Sequence, residues 1–97
     1  MAEFLLTPRA LSDLDAIAEY TIVHWGRQQA ETYISDLISR MEWLAADPNL
    51  GTPRDEVAPG YRSFPQGQHV LFYLVDQDHI AIIGIPHKSM DIEAHLI

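Results

Sequence analysis

Two amphipathic runs separated by a very short gap constrain this chain more than any other feature. In the first, Leu11, Leu14, Ile17, Ala18 and Thr21 recur at three- and four-residue spacing, the period that aligns one stripe along an α-helix. In the second, Ala30, Tyr33, Ile34, Leu37, Ile38, Met41, Leu44 and Ala45 keep the same period for about four turns. Thr7 is placed to cap the first helix, and Pro8 fits its first position, where a missing N–H costs nothing. Gly26 ends that helix and Pro48 stops the second. The gap around Trp25-Gly26-Arg27 leaves no room for an excursion, so the two helices must fold back as an antiparallel hairpin.

Elsewhere the period changes to that of strands. Ala2 to Leu6 is a short apolar run ahead of the hairpin, and Asn49 to Gly60 reads as a long turn rich in Pro, Gly and charge. Strands are then predicted at Tyr61 to Phe64, His69 to Val75 and His79 to Ile85, joined by a Pro65-Gln66-Gly67 turn and an Asp76-Gln77-Asp78 loop, which makes an antiparallel meander. In the last strand Ile80, Ile82 and Gly84 alternate with Ala81, Ile83 and Ile85, so both faces are apolar and the strand is expected to be central and covered, on one face by the hairpin. Asp91 is placed to cap a final turn from Ile92 to Leu96. The expected fold is α+β: an N-terminal strand, an antiparallel two-helix hairpin packed on an antiparallel β-sheet, and a short C-terminal helical turn. At 97 residues the chain is expected to form one domain, 1–97, with a stability margin thin enough to lean on a partner.

Fourteen Asp and Glu against six Lys and Arg give a formal charge of -8. Nucleic-acid binders draw most of their affinity from cations that displace counterions along the phosphates, and the whole stock here is Arg9, Arg27, Arg40, Arg54, Arg62 and Lys88. Direct nucleic-acid binding is therefore disfavoured, and docking onto a basic or mixed-charge protein surface is favoured. The absence of cysteine removes disulfides and thiolate metal sites and suits a reducing cytoplasm. No apolar stretch approaches the roughly 20 residues of a membrane span, and Met1 to Pro8 lacks a basic signal-peptide start, so a soluble, cytoplasmic protein is expected. The glycines are isolated and form no phosphate loop, so no cofactor is expected.

The densest chemistry lies in His87-Lys88-Ser89-Met90-Asp91. A nucleophile and base pair of Ser89 and His87 needs a hydrogen-bonded geometry that adjacency in sequence does not supply, since neighbouring side chains in a loop usually point apart. The competing reading ends the strand at Pro86, tucks Met90 under the sheet and spends Asp91 on the helical cap, leaving His87 and Lys88 to face a partner. Of the five histidines, His24, His69, His79, His87 and His95, none has an H-E-x-x-H spacing. A zinc site would have to be assembled from His69, His87 and an acid, and no metal is expected. Trp25 sits at the hairpin tip, and Trp43 falls off the apolar stripe, either to pack on the turn from Asn49 onward or to anchor an interface. Arg62 carries a positive charge within a strand, which a salt bridge to Asp55 or Glu56 would explain. Asp13, Asp15, Glu19, Glu31, Asp36 and Glu42 mostly fall on the outer helix faces.

The stretches "LTPRALSDLDAIAEYT" (Leu6 to Thr21), "HWGRQQAETYI" (His24 to Ile34), "LAADPNLGTPRDEVAPGYRSFPQGQHVLFY" (Leu44 to Tyr73) and "IPHKSMDIEAHL" (Ile85 to Leu96) resemble the ParE branch of the RelE/ParE toxin superfamily over nearly the whole chain. The resemblance implies the toxin of a type II toxin-antitoxin module, a non-enzymatic inhibitor of DNA gyrase and hence of replication. It implies a hetero-oligomer with a ParD-like antitoxin, partly disordered, that folds on binding through helix-in-groove and strand-addition contacts. RelE-like relatives are ribosome-dependent ribonucleases that use a Lys and Arg cluster with a tail tyrosine. Here the corresponding sheet position is His69, the last loop offers only His87 and Lys88, and the tail around Ala94-His95 has no tyrosine. That machinery is incomplete, and phosphodiester cleavage needs positive groups against the developing charge. The alternatives are a RelE-like messenger RNA interferase using His69, His87 and Arg62, and a degenerate toxin that only binds its antitoxin. The resemblance also implies an arginine where Ser89 stands; if that arginine serves gyrase poisoning, weak toxicity or another target is expected of this chain. The expected antitoxin- or target-binding set is Trp25, Trp43, Arg62, His69, His87, Lys88 and Ser89, with no catalytic residue.

Overall fold

In the computed structural model, which describes residues 3–96, β1 (Glu3–Leu6) leads into α1 (Pro8–Trp25), and α2 (Arg27–Ala46) folds back along it. A 3-10 turn at Pro48–Leu50 and a two-residue strand, β2 (Thr52–Pro53), precede the meander of β3 (Arg62–Gln66), β4 (His69–Asp76) and β5 (His79–Gly84), and α3 (Ile92–Leu96) closes the chain. The sheet order is β1-β5-β4-β3-β2, with β1 parallel to β5 and the other pairs antiparallel. The expected α+β architecture is present, and the parallel β1 makes the sheet mixed. The predicted start of the first strand, Ala2, lies outside the described residues.

Local chemistry sets the element ends. Thr7 Oγ1 accepts from the Ala10 amide at 3.2 Å and donates to the Ile83 carbonyl at 2.9 Å, so one hydroxyl caps α1 and ties it to the sheet. Gly26 joins the two helices at φ +91, a backbone region that a Cβ makes costly. Its N–H donates to the Ile22 carbonyl and its own carbonyl accepts from the Ala30 amide, so a single residue closes one helix and opens the next.

The core lies between hairpin and sheet. Ile17, Leu37, Met41 and Leu44 meet Leu71, Tyr73, Ile80, Ile82 and Ile85, all buried. Each such large side chain contributes roughly 1.5–3 kcal/mol by leaving water. On the opposite face Phe72 is also fully buried, and the Arg54 guanidinium lies 5.0 Å from its ring centre while donating to Ser63 Oγ and Glu56. β5 is an interior strand between β1 and β4, as its two apolar faces predict, and Arg54 brings cover to the sheet's second face at Phe72.

Three readings need correction. Leu11 does not join the core stripe: it is 50% exposed and Ala10 is buried in its place, because α1 is rotated so that Ala10, Ile17 and Thr21 face inward. The Asn49 to Gly60 segment is not all turn, since Thr52 and Pro53 pair with Ser63 and Arg62. Pro65 and Gln66 belong to β3, and the reversal falls on Gly67 (φ +59) and Gln68. Pro65 is tolerated because β2 ends before reaching it, so its missing N–H faces an open edge.

Candidate functional site

Where β5 ends, the chain continues to pair with the start of β4. The Val70 amide donates to the Pro86 carbonyl at 3.0 Å and the Lys88 amide to the Gln68 carbonyl at 2.9 Å, which sets His87 directly across from His69. Cross-strand partners share a face, and the two imidazoles meet edge to face with centroids 5.3 Å apart. The face is the one α1 and α2 cover. Between the hairpin tip and this pair lies a groove of about 810 Å³. Its apolar wall includes Ile17, Tyr20, Trp25 and Met90, and its polar end includes Tyr33, His69, His87 and Ser89.

A backbone donor fixes the proton on His87, and the relative lengths of two bonds from Tyr33 assign the one on His69. The Ser89 backbone N–H donates to His87 Nδ1 at 3.1 Å, and an amide can only donate, so Nδ1 is the acceptor and the neutral ring carries its proton on Nε2. The Ser89 hydroxyl lies 2.8 Å from the same Nδ1. Tyr33 Oη accepts from the Gln68 amide at 2.9 Å and has one proton to give, with His69 Nδ1 at 2.7 Å and the Gln66 carbonyl at 3.5 Å as choices. The shorter bond takes it, which places the His69 proton on Nε2 as well. Burial, reinforced by the nearby His87, depresses the His69 pKa to about 4, so this ring is neutral at physiological pH.

The arrangement can donate at two Nε2–H groups, and at His87 Nδ1 it holds a lone pair 2.8 Å from the Ser89 hydroxyl. A general base at Nε2 needs a lone pair where the proton sits. A metal-bound histidine donates its second nitrogen's proton outward, whereas here both second nitrogens accept. Among the described residues no group of three His, Cys, Asp or Glu is placed to hold a metal ion.

The expectation that His87 and Ser89 point apart is overturned, because the tight turn that lets the Ser89 amide reach Nδ1 also brings in its hydroxyl. Met90 does not tuck under the sheet: it is 47% exposed and lines the groove. Asp91 does cap α3, accepting from the Ala94 amide.

The candidate residues divide. Trp25, His69, His87 and Ser89 converge on the groove, and Lys88 is exposed in the same loop. Trp43 lies elsewhere, packed edge-on against Phe64 under the Arg40 guanidinium, which is a different seat from the turn after Asn49. Arg62 is not in a salt bridge with Asp55 or Glu56. Its Nη2 donates to the Gly51 and Asn49 carbonyls, while Arg54 takes Glu56. Arg62 pairs with Tyr73, and His69 pairs with Gln66 at the other end of the β3–β4 ladder, so the two are about 13 Å apart along the strand. The cation and the imidazoles of a ribonuclease-like trio are thus not assembled.

Tyr33 was legible only as part of a core stripe, yet it organises the site. The signal was there, since a half-buried tyrosine hydroxyl requires a partner. Asp13 was placed with the outer-face acids, yet its carboxylate turns inward, accepting from the Ile85 amide and meeting His95 Nε2, each at 2.8 Å. That oxygen anchors the segment carrying His87 and Ser89 at both ends.

The family model described as the ParE toxin of the type II toxin-antitoxin system, parDE, matches residues 4–92. Toxin ParE1 of Mycobacterium tuberculosis is 36% identical over 96 residues, covering 98% of each chain, and Toxin ParE1 of Caulobacter vibrioides is 38% identical over 96 residues, covering 99% of each. Among solved structures, a chain of the chromosomal ParDE TA system from P. aeruginosa superposes with a TM-score of 0.75 at 26% identity, covering 90% of this chain and 96% of that one. The RelBE2 toxin-antitoxin complex from Mycobacterium tuberculosis gives 0.60 at 20% identity, covering 90% and 98%, which shows the shared fold alone. With the strand, hairpin and meander in the same arrangement and the family model spanning residues 4–92, the chain belongs to the ParE toxin family of type II toxin-antitoxin systems.

Proposed function

We propose that residues 1–97 act as one non-enzymatic toxin domain in the cytoplasm, docking onto DNA gyrase and held inactive by a ParD-like antitoxin. The observation that carries this reading is the groove at the hairpin tip, whose two imidazoles present protons in place of lone pairs and whose lining contains no arginine or lysine. Such a surface recognises a protein and is unsuited to stabilising a cleaved phosphodiester. The solved relatives, described as toxin-antitoxin complexes, support an antitoxin partner. A second crevice, of about 510 Å³ and lined by Ile22, Ile34 and Ile38 with Arg27, Glu31 and Glu42, gives an amphipathic helix a further place to lie. Trp25, His69, His87, Lys88 and Ser89 are assigned to partner contact at the groove, with Trp43 and Arg62 as outlying contacts.

Purified gyrase supplies the test. Supercoiling is expected to fall when the chain is added and to recover when a cognate ParD-like antitoxin is included. Unchanged supercoiling at a large excess of the chain removes gyrase as the target.

A further inference from the structure

The groove's polar end is more selective than its apolar wall. Among the described residues His69 Nε2 and His87 Nε2 have no hydrogen-bond partner, and neither belongs among the buried unsatisfied atoms, so both remain open to a ligand. Each carries a proton because its Nδ1 is committed to Tyr33 or to the Ser89 amide. Two adjacent donors select an acceptor. The chain holds fourteen Asp and Glu side chains, yet among the described residues none lines this groove, and Lys88 stands exposed in the adjoining loop. The groove is thus a local exception to a strongly acidic chain, and its paired N–H donors favour an ionised acceptor.

We propose that the groove takes an acidic-apolar peptide segment of the partner protein, with one side-chain carboxylate bound by His69 Nε2–H and His87 Nε2–H and a neighbouring apolar side chain seated among Tyr20, Trp25 and Met90. The proposal rests on the reading of this groove as a protein-docking surface. A carboxylate fits better than a phosphate backbone, which carries a charge at every nucleotide and is matched by series of arginines and lysines that this groove lacks. Hydrogen bonds to an ionised acceptor are about twice as strong as neutral ones, so replacing the carboxylate by an amide is expected to weaken binding about tenfold.

The experiment uses the full chain at pH 7 and two fluorescein-labelled pentapeptides, Leu-Trp-Glu-Leu-Phe and its glutamine twin, with labelled oligouridylate alongside, all read by anisotropy. The glutamate peptide should bind about tenfold tighter than its twin, and His87→Ala should abolish the difference while leaving the circular dichroism spectrum unchanged. His69→Phe should do the same; where it disturbs folding, His87→Ala carries the test alone. Equal affinities for the two peptides, no binding by either, or a difference that survives both substitutions overturns the proposal, and a preference for oligouridylate overturns it in favour of a phosphate site. Copurification with a cognate ParD-like antitoxin is scored in parallel. A stable complex with equal peptide affinities removes only the carboxylate assignment, whereas no complex removes the antitoxin reading itself.

Discussion

The Tyr33 hydroxyl sits 2.7 Å from His69 Nδ1 and 2.9 Å from the Gln68 amide nitrogen, so one oxygen on α2 fixes both the β3–β4 reversal and the proton of a groove histidine. Gly67 is held in the same contact, since a Cβ there would come within 2.6 Å of that hydroxyl. Tyr33→Phe leaves an amide and a ring nitrogen without their partner, and a loss of about 1–3 kcal/mol is expected by urea denaturation. Nitrogen-detected NMR of the variant should show His69 sampling both tautomers where the parent shows one.

His69 also gives the fold a pH dependence. Its folded pKa is lowered to about 4, chiefly by burial, from the ordinary 6.5, so between those values the unfolded chain binds a proton that the folded chain does not. Stability from this ring is complete above about pH 6.5 and declines as pH falls toward 4. Partial exposure screens the effect to about 1–2 kcal/mol. Denaturation midpoints measured from pH 7 to 4 should fall less steeply for His69→Gln than for the parent chain.

Much of this was legible in the residues, for physical reasons. The hairpin follows from period and a short gap, Thr7 and Asp91 cap where their side chains predict, and the doubly apolar β5 lies inside the sheet between β1 and β4. What stayed hidden depended on pairing between distant segments. The rotation of α1 that exposes Leu11 is set by packing against both α2 and β5, and the meeting of His69 with His87 comes from backbone pairing that continues past the end of a strand. Neither leaves a local sequence signature. Arg62 misled because a charge in a strand suggests an ion pair, whereas the nearest acceptors are carbonyls at the end of the 3-10 turn.

Tyr73 holds that turn from below. Its hydroxyl donates to the Pro48 carbonyl at 2.6 Å and accepts from the Gly51 amide at 3.0 Å, and burial pushes its pKa up. A Cβ on Gly51 would run into the Tyr73 ring and hydroxyl. Gly51→Ala should therefore cost on the order of 2–4 kcal/mol in thermal or chemical denaturation, from overpacking together with a displaced hydrogen bond.

Asp13 makes the corresponding tie at the C-terminal end. Asp13→Ala removes the acceptor of the Ile85 amide and the partner of His95, and a loss of about 2–4 kcal/mol is expected. Hydrogen exchange should quicken first at Ile92–Leu96 and at Ile85, ahead of the hairpin amides.

The two tryptophans should separate stability from binding. Trp25 is 71% exposed at the groove, so Trp25→Ala is expected to change stability by no more than about 0.5 kcal/mol while weakening antitoxin capture by tenfold or more. Trp43 packs on Phe64 and under Arg40, and Trp43→Ala should cost about 1–2 kcal/mol of stability. Calorimetry with the purified antitoxin and urea titration of each variant read the two effects independently.

Toeprinting of translating ribosomes incubated with the purified chain tests most directly whether this surface docks on proteins or cuts RNA. With both groove imidazoles protonated at Nε2 and no arginine beside them, the message should remain intact at every codon. A new cut in the ribosomal A site that disappears with His87→Ala would contradict the account.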